Sequence, residues 1–172
     1  MTTQPLAQTF KIDAIGGVFL TSVNLFFATK DTAVPVWIEI RNTIAGIPGQ
    51  QVLPYSRKIL EPSFINADFE KGNAPTAFVF DSPVYCQEGQ EYALVVVTKS
   101  LDYLLWTAQV GQVDVLTGGV VNSQPAIGSM YKSSNSSTWT PVQSEDLKFS
   151  IQRAWFNTAY IADLTLTKDI VN

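Results

Sequence analysis

The 172-residue sequence predicts an all-β fold, an antiparallel sandwich or barrel, and three observations carry that expectation. Wherever a period can be read, apolar residues recur at every second position rather than at helical spacing. Turn chemistry punctuates the chain at Gly16-Gly17, residues 46–49 (GIPG), Gly72-Asn73, residues 87–90 (QEGQ), Gly118-Gly119 and residues 133–137 (SSNSS). No convincing helix runs beyond about two turns, and strands with turns at this spacing read as a sandwich or barrel.

The elements follow in order. Residues 8–49 hold two apolar strands and then a Gly/Pro turn. Over 19–27, Phe19, Val23, Leu25 and Phe27 share one face, opposite Leu20, Ser22, Asn24 and Phe26, so the second face is expected to be partly covered. Over 34–41, Val34, Val36, Ile38 and Ile40 share a face and Trp37, Glu39 and Arg41 share the other, the pattern of a strand with one buried face. Phe78 and Phe80 lie together on the next strand. Residues 92–97 (YALVVV) are apolar on both faces and rich in β-branched side chains, as a central strand requires. Leu104 and Trp106 mark a short strand. Leu147, Phe149 and Ile151 alternate with Lys148, Ser150 and Gln152 in a late strand running on toward Trp155. The expected core is Phe19, Val23, Leu25, Phe27, Val36, Ile38, Ile40, Phe78, Phe80, Leu94, Val96, Phe149 and Ile151.

Two segments leave the pattern. Residues 112–125 read as a long loop or hairpin, a place where partners bind on a rigid β scaffold. Residues 157–172 follow the closing strand of a domain spanning 1–156. They read either as a tail docking on a neighbouring subunit or as a further edge strand of the same domain, and the threonines of 159–166 favour an extended state over a helix.

Composition narrows the function. The length is that of one domain, and at about this size a compact fold buries roughly 70% of the surface its unfolded chain exposes. Charged residues make up 15% of the chain, below the roughly 25% usual for soluble domains, which points to surface covered by neighbours or to a neutral polar exterior. A net charge of −4 with no Lys/Arg run argues against a nucleic-acid partner. No apolar run is long enough for a membrane span, and TTQPLAQTF after Met1 has neither the basic nor the apolar stretch of a secretory leader. Cys86 is the sole cysteine, so it has no intramolecular disulfide partner; in VYCQEG it reads as a small strand-end residue.

With no histidine in the chain, the commonest general base and metal ligand is missing, and Cys-His pairs and Ser-His-Asp triads are excluded. Carboxylates could act in pairs as in glycosidases; Glu39, Glu61, Asp68, Glu70, Asp81, Glu88, Glu91, Asp102, Asp114, Glu145 and Asp146 are the candidates. Most fall at strand ends or in turns, where a solvated acid or a turn hydrogen bond explains them. Neither a calcium loop nor a phosphate-binding glycine loop is present, and no cofactor and no enzymatic activity are expected. The tryptophans remain: Trp37, Trp106, Trp139 and Trp155 are the candidates for a protein interface or a sugar-stacking platform, with ordinary packing as the plainer explanation for any one of them. Trp37, beside Glu39 and Arg41, is expected to face outward.

Several segments, in order, resemble a family of structural proteins of contractile-tailed bacteriophages, cyanophages above all. They are PLAQTF (5–10), GGVFLTSVNLFFATKD (16–31), VPVWIEIRNTIAGIPG (34–49), VLPYSRKILEP (52–62), FDSPVYCQEGQEYALVV (80–96), STWTP (137–141) and EDLKFSIQRAWF (145–156). The likeness spans about 5–156 and lies in the ordered set rather than in any single motif. It implies an antiparallel β-sandwich of jelly-roll type, set in the baseplate or tail-fibre region of a virion assembled in the host cytoplasm. Partners would be other tail or baseplate proteins in a homo- or hetero-oligomeric assembly. The family module is usually embedded in a longer protein, so this chain is expected to be a small subunit or a fragment. The competing expectation is a carbohydrate-binding module for adsorption to host-surface glycans.

Overall fold

A computed structural model describes residues 5–121 and 128–157. The expectations for the tail beyond Asn157, and for the end of the 112–125 loop, lie outside the described residues. The strands are β1 (Leu6–Lys11), β2 (Val18–Thr29), β3 (Val36–Ile44), β4 (Ile47–Val52), β5 (Lys58–Leu60), β6 (Pro75–Cys86), β7 (Glu91–Thr98), β8 (Leu104–Leu105), β9 (Thr107–Gln109), β10 (Met130–Lys132), β11 (Thr140–Val142), β12 (Glu145–Leu147) and β13 (Phe149–Arg153). One turn of 3-10 helix, Pro62–Phe64, is the sole helical element among the described residues, so none there is long and apolar enough to cross a membrane.

The protein is all-β, with its strands paired antiparallel into a sandwich. The larger sheet runs β11-β10-β1-β7-β3-β4, with β5 beside β4 on the same edge of β3. The smaller runs β13-β2-β6, with β8 on the far end of β2. A ribbon of β9 and β12 closes over β1: buried Gln8 accepts the Leu147 N–H at 2.9 Å and donates to Asp146 at 3.2 Å. Between the sheets lie Val23, Leu25, Phe27, Val36, Ile38, Ile40, Phe78, Phe80, Leu94 and Val96, all expected there and all buried. Strict alternation along β6 produces this: even-numbered residues from Thr76 to Phe80 point in while Ala77, Val79 and Asp81 point out.

Phe19 departs from the expectation. The register between β2 and β6 shifts between Leu20 and Ser22, and this bulge inverts the alternation at the start of β2. Leu20 therefore enters the core, 1% exposed, and Phe19 turns outward, 39% exposed. Phe149 and Ile151 reach the core only in part, packed against it from β13, which lies at the edge of the smaller sheet among the described residues. The late strand is also broken rather than continuous. Lys148 donates its N–H to the Trp106 carbonyl at 2.9 Å, so Leu147 pairs with Thr107 in the ribbon while Phe149 pairs with Leu25 in the sheet.

The strand β3 was expected to bury one face and buries both. Ala7, Ala93, Val95, Val97, Tyr131 and Trp139 form a second apolar cluster on the outer side of the larger sheet, with Trp37 packed against it. The two-faced reading of 92–97 anticipates this layer from the β7 side: Leu94 and Val96 face the sandwich interior and Ala93, Val95 and Val97 face the outer cluster.

The bulge gives a direct contrast. Phe78→Ala should lower unfolding free energy by about 3–5 kcal/mol, the usual cost of truncating a core phenylalanine. Phe19→Ala should cost less than about half of that, since its ring is already partly solvated. Urea denaturation of both variants measures the difference, and equal losses would contradict the inverted alternation.

Candidate functional site

The four tryptophans separate into three environments. Trp37 and Trp139 belong to the outer cluster of the larger sheet. Glu39 is the hub there, because β3 places Trp37, Glu39 and Arg41 on one face two residues apart. Arg41 donates to Glu39 Oε2 through Nε at 2.9 Å and Nη2 at 2.7 Å, while Trp37 Nε1–H donates to Oε1 at 3.3 Å. Arg57 approaches Oε1 at 3.6 Å and lies over the Trp37 ring, 5.3 Å from its centre. Glu39 and Arg41 are buried, so each charge depends on the other.

The cover over this pair comes from the polar SSNSS turn. Arg41 Nη1 donates to the Ser136 carbonyl at 3.0 Å, pinning the turn to the sheet, and Ser136 adopts a positive φ of 61°. Tyr131 donates its hydroxyl to the Gly46 carbonyl at 2.9 Å. Trp139, following the turn, is only 9% exposed, and its buried indole N–H meets no acceptor among the described residues. Trp106 sits elsewhere, half-buried, its indole N–H donated to the Asp68 carbonyl at 2.8 Å and its ring against Gly72. These three rings are engaged in packing, and only Trp155 stands in solvent, 84% exposed.

Trp155 belongs to a surface the sequence reading did not assemble. The Gly16-Gly17 turn starts it: Gly17 has φ +79°, and a Cβ there would lie 2.6 Å from the Cys86 carbonyl, so only glycine lets the turn press on the end of β6. Tyr85 donates its hydroxyl to the Gly16 carbonyl at 3.2 Å, and the Gly16 N–H donates to the Glu88 carboxylate at 2.8 Å. Phe19 faces Tyr85 across the β2–β6 ladder with ring centres 5.0 Å apart. The Ala154 N–H donates to the Phe19 carbonyl at 2.8 Å, laying the segment after β13 beside them, and Phe156 meets Phe19 edge-on at 5.4 Å.

The result is a contiguous aromatic patch of Phe19, Tyr85, Trp155 and Phe156, with Arg153 beside it and a shallow hollow of about 320 Å³ running along the Gly16-Gly17 turn. All four side chains are more than a third exposed. Phe19 and Tyr85 stand on paired strands and Trp155 and Phe156 on the segment after β13, so aromatic area is held in water, a composition commoner at interface centres than on ordinary surface. The ring planes of Phe19 and Tyr85 meet at 46° and those of Phe19 and Phe156 at 80°, so these three rings make a ridged surface, not a flat shelf. The signal was present in the sequence as Trp155-Phe156, two adjacent aromatics placed just past the last alternating residues, but Phe19 had been assigned to the core.

The carboxylates mostly hold turns. Asp68 accepts backbone N–H groups from Glu70, Lys71 and Asn73, and these bonds, that from Asn73 foremost, hold its carboxyl below the ordinary range. Asp114 is lowered in the same way, chiefly by the Leu116 N–H. Asp81 pairs with Lys58 at 2.6 Å, and Asp146 is tied to Gln8. Among the described residues no group of three or more carboxylates or thiols gathers where a metal ion could be held. Cys86 is buried, and burial pushes its thiol up to about 12.

Removing one member of the buried pair should be costly. Arg41→Ala is expected to destabilise by about 3–5 kcal/mol in urea unfolding, whereas Glu39→Leu with Arg41→Met together should recover most of that loss. A double variant that keeps the full loss would contradict the view that the cost of Arg41→Ala comes chiefly from leaving Glu39 buried without its main partner. The Cys86 thiol, protonated up to a pH near its raised value of about 12, should resist Ellman's reagent at pH 8 until the chain is unfolded; rapid labelling of the native chain would refute its burial. Comparison with protein-family models, with curated proteins and with solved structures finds no match.

Proposed function

We propose that this chain is a structural, protein-binding module of a tailed-phage virion, a baseplate or tail-fibre attachment component whose sandwich is of jelly-roll type. The observation that carries a binding role is the exposed aromatic patch of Phe19, Tyr85, Trp155 and Phe156, the first two on the paired strands β2 and β6 and the last two on the segment that follows β13. The phage assignment rests on the ordered segments of the sequence, which fall on β1 to β7 and on β11, β12 and β13 and so run through both sheets. Support for the jelly-roll type is the path of the chain: β1, β2 and β3 alternate between the sheets, β6 and β7 do so again, and β2–β6 and β1–β7 are nested pairs.

In this role the scaffold works by presentation. The patch has little conformational freedom left to lose on docking, because Phe19 and Tyr85 are fixed by the ladder and Phe156 by its contact with Phe19. A neighbour in the tail would cover the aromatic centre, with Arg153 and Glu88 at its polar rim. Repetition of the contact in a symmetric assembly would multiply its strength.

Trp155 also favours a second reading, a carbohydrate-binding module for host-surface adsorption. Sugar rings stack best on flat aromatic faces, and the tilts within the patch weigh toward a protein partner. Trp155→Ala combined with Phe156→Ala should weaken incorporation into particles, or binding to the isolated neighbouring tail protein, by about 30-fold or more, the scale of a tryptophan hot spot. The unfolding midpoint should stay within a few degrees of the parent. Unchanged incorporation, together with quenching of tryptophan fluorescence by bacterial glycans, would replace this reading with the carbohydrate one.

A further inference from the structure

Between the two sheets, at the Phe27 end of β2, lies a slot of about 340 Å³, roughly eleven water volumes and within the range of small-ligand pockets. The aromatic patch begins at Phe19, near the opposite end of the same strand, so the slot is separate from it and independent of the phage reading. The larger sheet contributes Leu6, Val36 and Val96 to the slot, and the smaller contributes Phe27 and Leu105. Phe27, Val36 and Val96 are buried core residues, so the inner part of the slot is apolar.

Most hydroxyls around the slot are already engaged. Thr98 donates to the Pro35 carbonyl at 3.1 Å and Tyr103 to the Val34 carbonyl at 2.6 Å, while Ser100 and Ser133 accept the backbone N–H groups of Asp102 and Ser136. Two charged residues also line the slot, Lys132 and Glu145. Lys132 stands two residues after buried Met130 on β10, and Glu145 two residues before buried Leu147 on β12. Strand alternation therefore turns both toward the side on which those core residues lie. Lys132 is exposed and Glu145 half-buried, which sets them at the rim. Neither forms an ion pair with the other or with any other described residue. One cation and one anion thus stand unanswered over an apolar interior.

We propose that the slot binds a free α-amino acid with a large apolar side chain. That side chain would lie against Phe27, Val36 and Val96, where it leaves water for core-like surroundings. Its carboxylate would meet the Lys132 ammonium and its α-ammonium the Glu145 carboxylate, with the Thr107 hydroxyl, also on the slot, as a further partner. Charge complementarity selects this class over its neighbours. An apolar acid would leave Glu145 unanswered, an apolar amine would leave Lys132 unanswered, and the terminus of a protein chain carries only one of the two charges. A neutral sugar answers neither and has no apolar body for the interior. The walls are also set in advance: the Phe27 ring is held between Phe78 and Tyr103, at 6.4 and 5.8 Å between ring centres, so little ordering opposes binding.

Isothermal titration calorimetry of the full chain tests the proposal with L-leucine and L-phenylalanine, beside 3-phenylpropionate, which lacks the ammonium, and phenethylamine, which lacks the carboxylate. At least one amino acid should bind with saturation, and both analogues should bind about ten-fold more weakly than L-phenylalanine or worse. Lys132→Met should weaken L-phenylalanine by about ten-fold and leave phenethylamine unchanged. Glu145→Gln should weaken it likewise and leave 3-phenylpropionate unchanged. Unfolding midpoints within a few degrees of the parent show that the variants remain folded, and the analogue comparison on the parent chain needs neither variant. Absence of saturable binding by both amino acids would overturn the proposal. An analogue that binds as tightly as L-phenylalanine would overturn it too, since only one charge would then be read. So would amino-acid binding indifferent to both substitutions, which places the ligand elsewhere on the protein.

Discussion

Burial of both faces of β7 is the constraint on which the rest of the structure depends. The strand runs between β1 and β3, paired to each along six and seven residues respectively, and carries an apolar side chain at every position from Ala93 to Val97. One face needs the smaller sheet, and β2 and β6 supply it with Leu25, Phe27 and Phe78. The other needs cover as well, and among the described residues no sheet lies over it. The cover is improvised from Tyr131, Trp139 and the SSNSS turn, latched by Arg41 to the Ser136 carbonyl. A buried ion pair in that layer adds little net stability, since desolvation offsets most of its attraction. Its geometry does specify which turn sits on which strand, because Arg41 satisfies Glu39 and Ser136 at once.

Much of this architecture was legible from residue order. Period-two alternation identified β2, β3 and β6, a β-branched run apolar on both faces identified β7, and ten of the thirteen expected core residues lie fully in the inter-sheet core, because these patterns report directly on which face meets water. What failed was non-local. Phe19 and Leu20 exchange roles through a bulge against β6, and no local pattern in 19–27 announces where a ladder slips. Glu39 and Arg41 read as a solvated face because charge usually marks one; their burial depends on a turn almost a hundred residues away. The late strand split at Lys148 for a like reason, its backbone being claimed by Trp106.

The candidate surface was legible in fragments. Trp155 was singled out, but as one of four equal tryptophans, and three of them prove to be packed into the scaffold or its covering layer. Its companions are Phe19 and Tyr85, brought together by register across β2 and β6, and Phe156, brought in by the hydrogen bond from Ala154 to Phe19. The same bulge that expels Phe19 from the core thus completes the patch. An irregularity that weakens the ladder thus leaves an aromatic ring exposed at the end of the smaller sheet, the kind of surface that the proposed binding role requires.

Hydroxyl-radical footprinting of Trp155 and Phe156, compared between the free chain and the chain within an assembled particle, tests the central claim most directly. The account expects both side chains to be oxidised readily in the free chain and to be strongly protected in the assembly, while an exposed reference such as Phe69, 70% exposed and away from the patch, keeps its reactivity. Equal oxidation of Trp155 and Phe156 in the two states would contradict it.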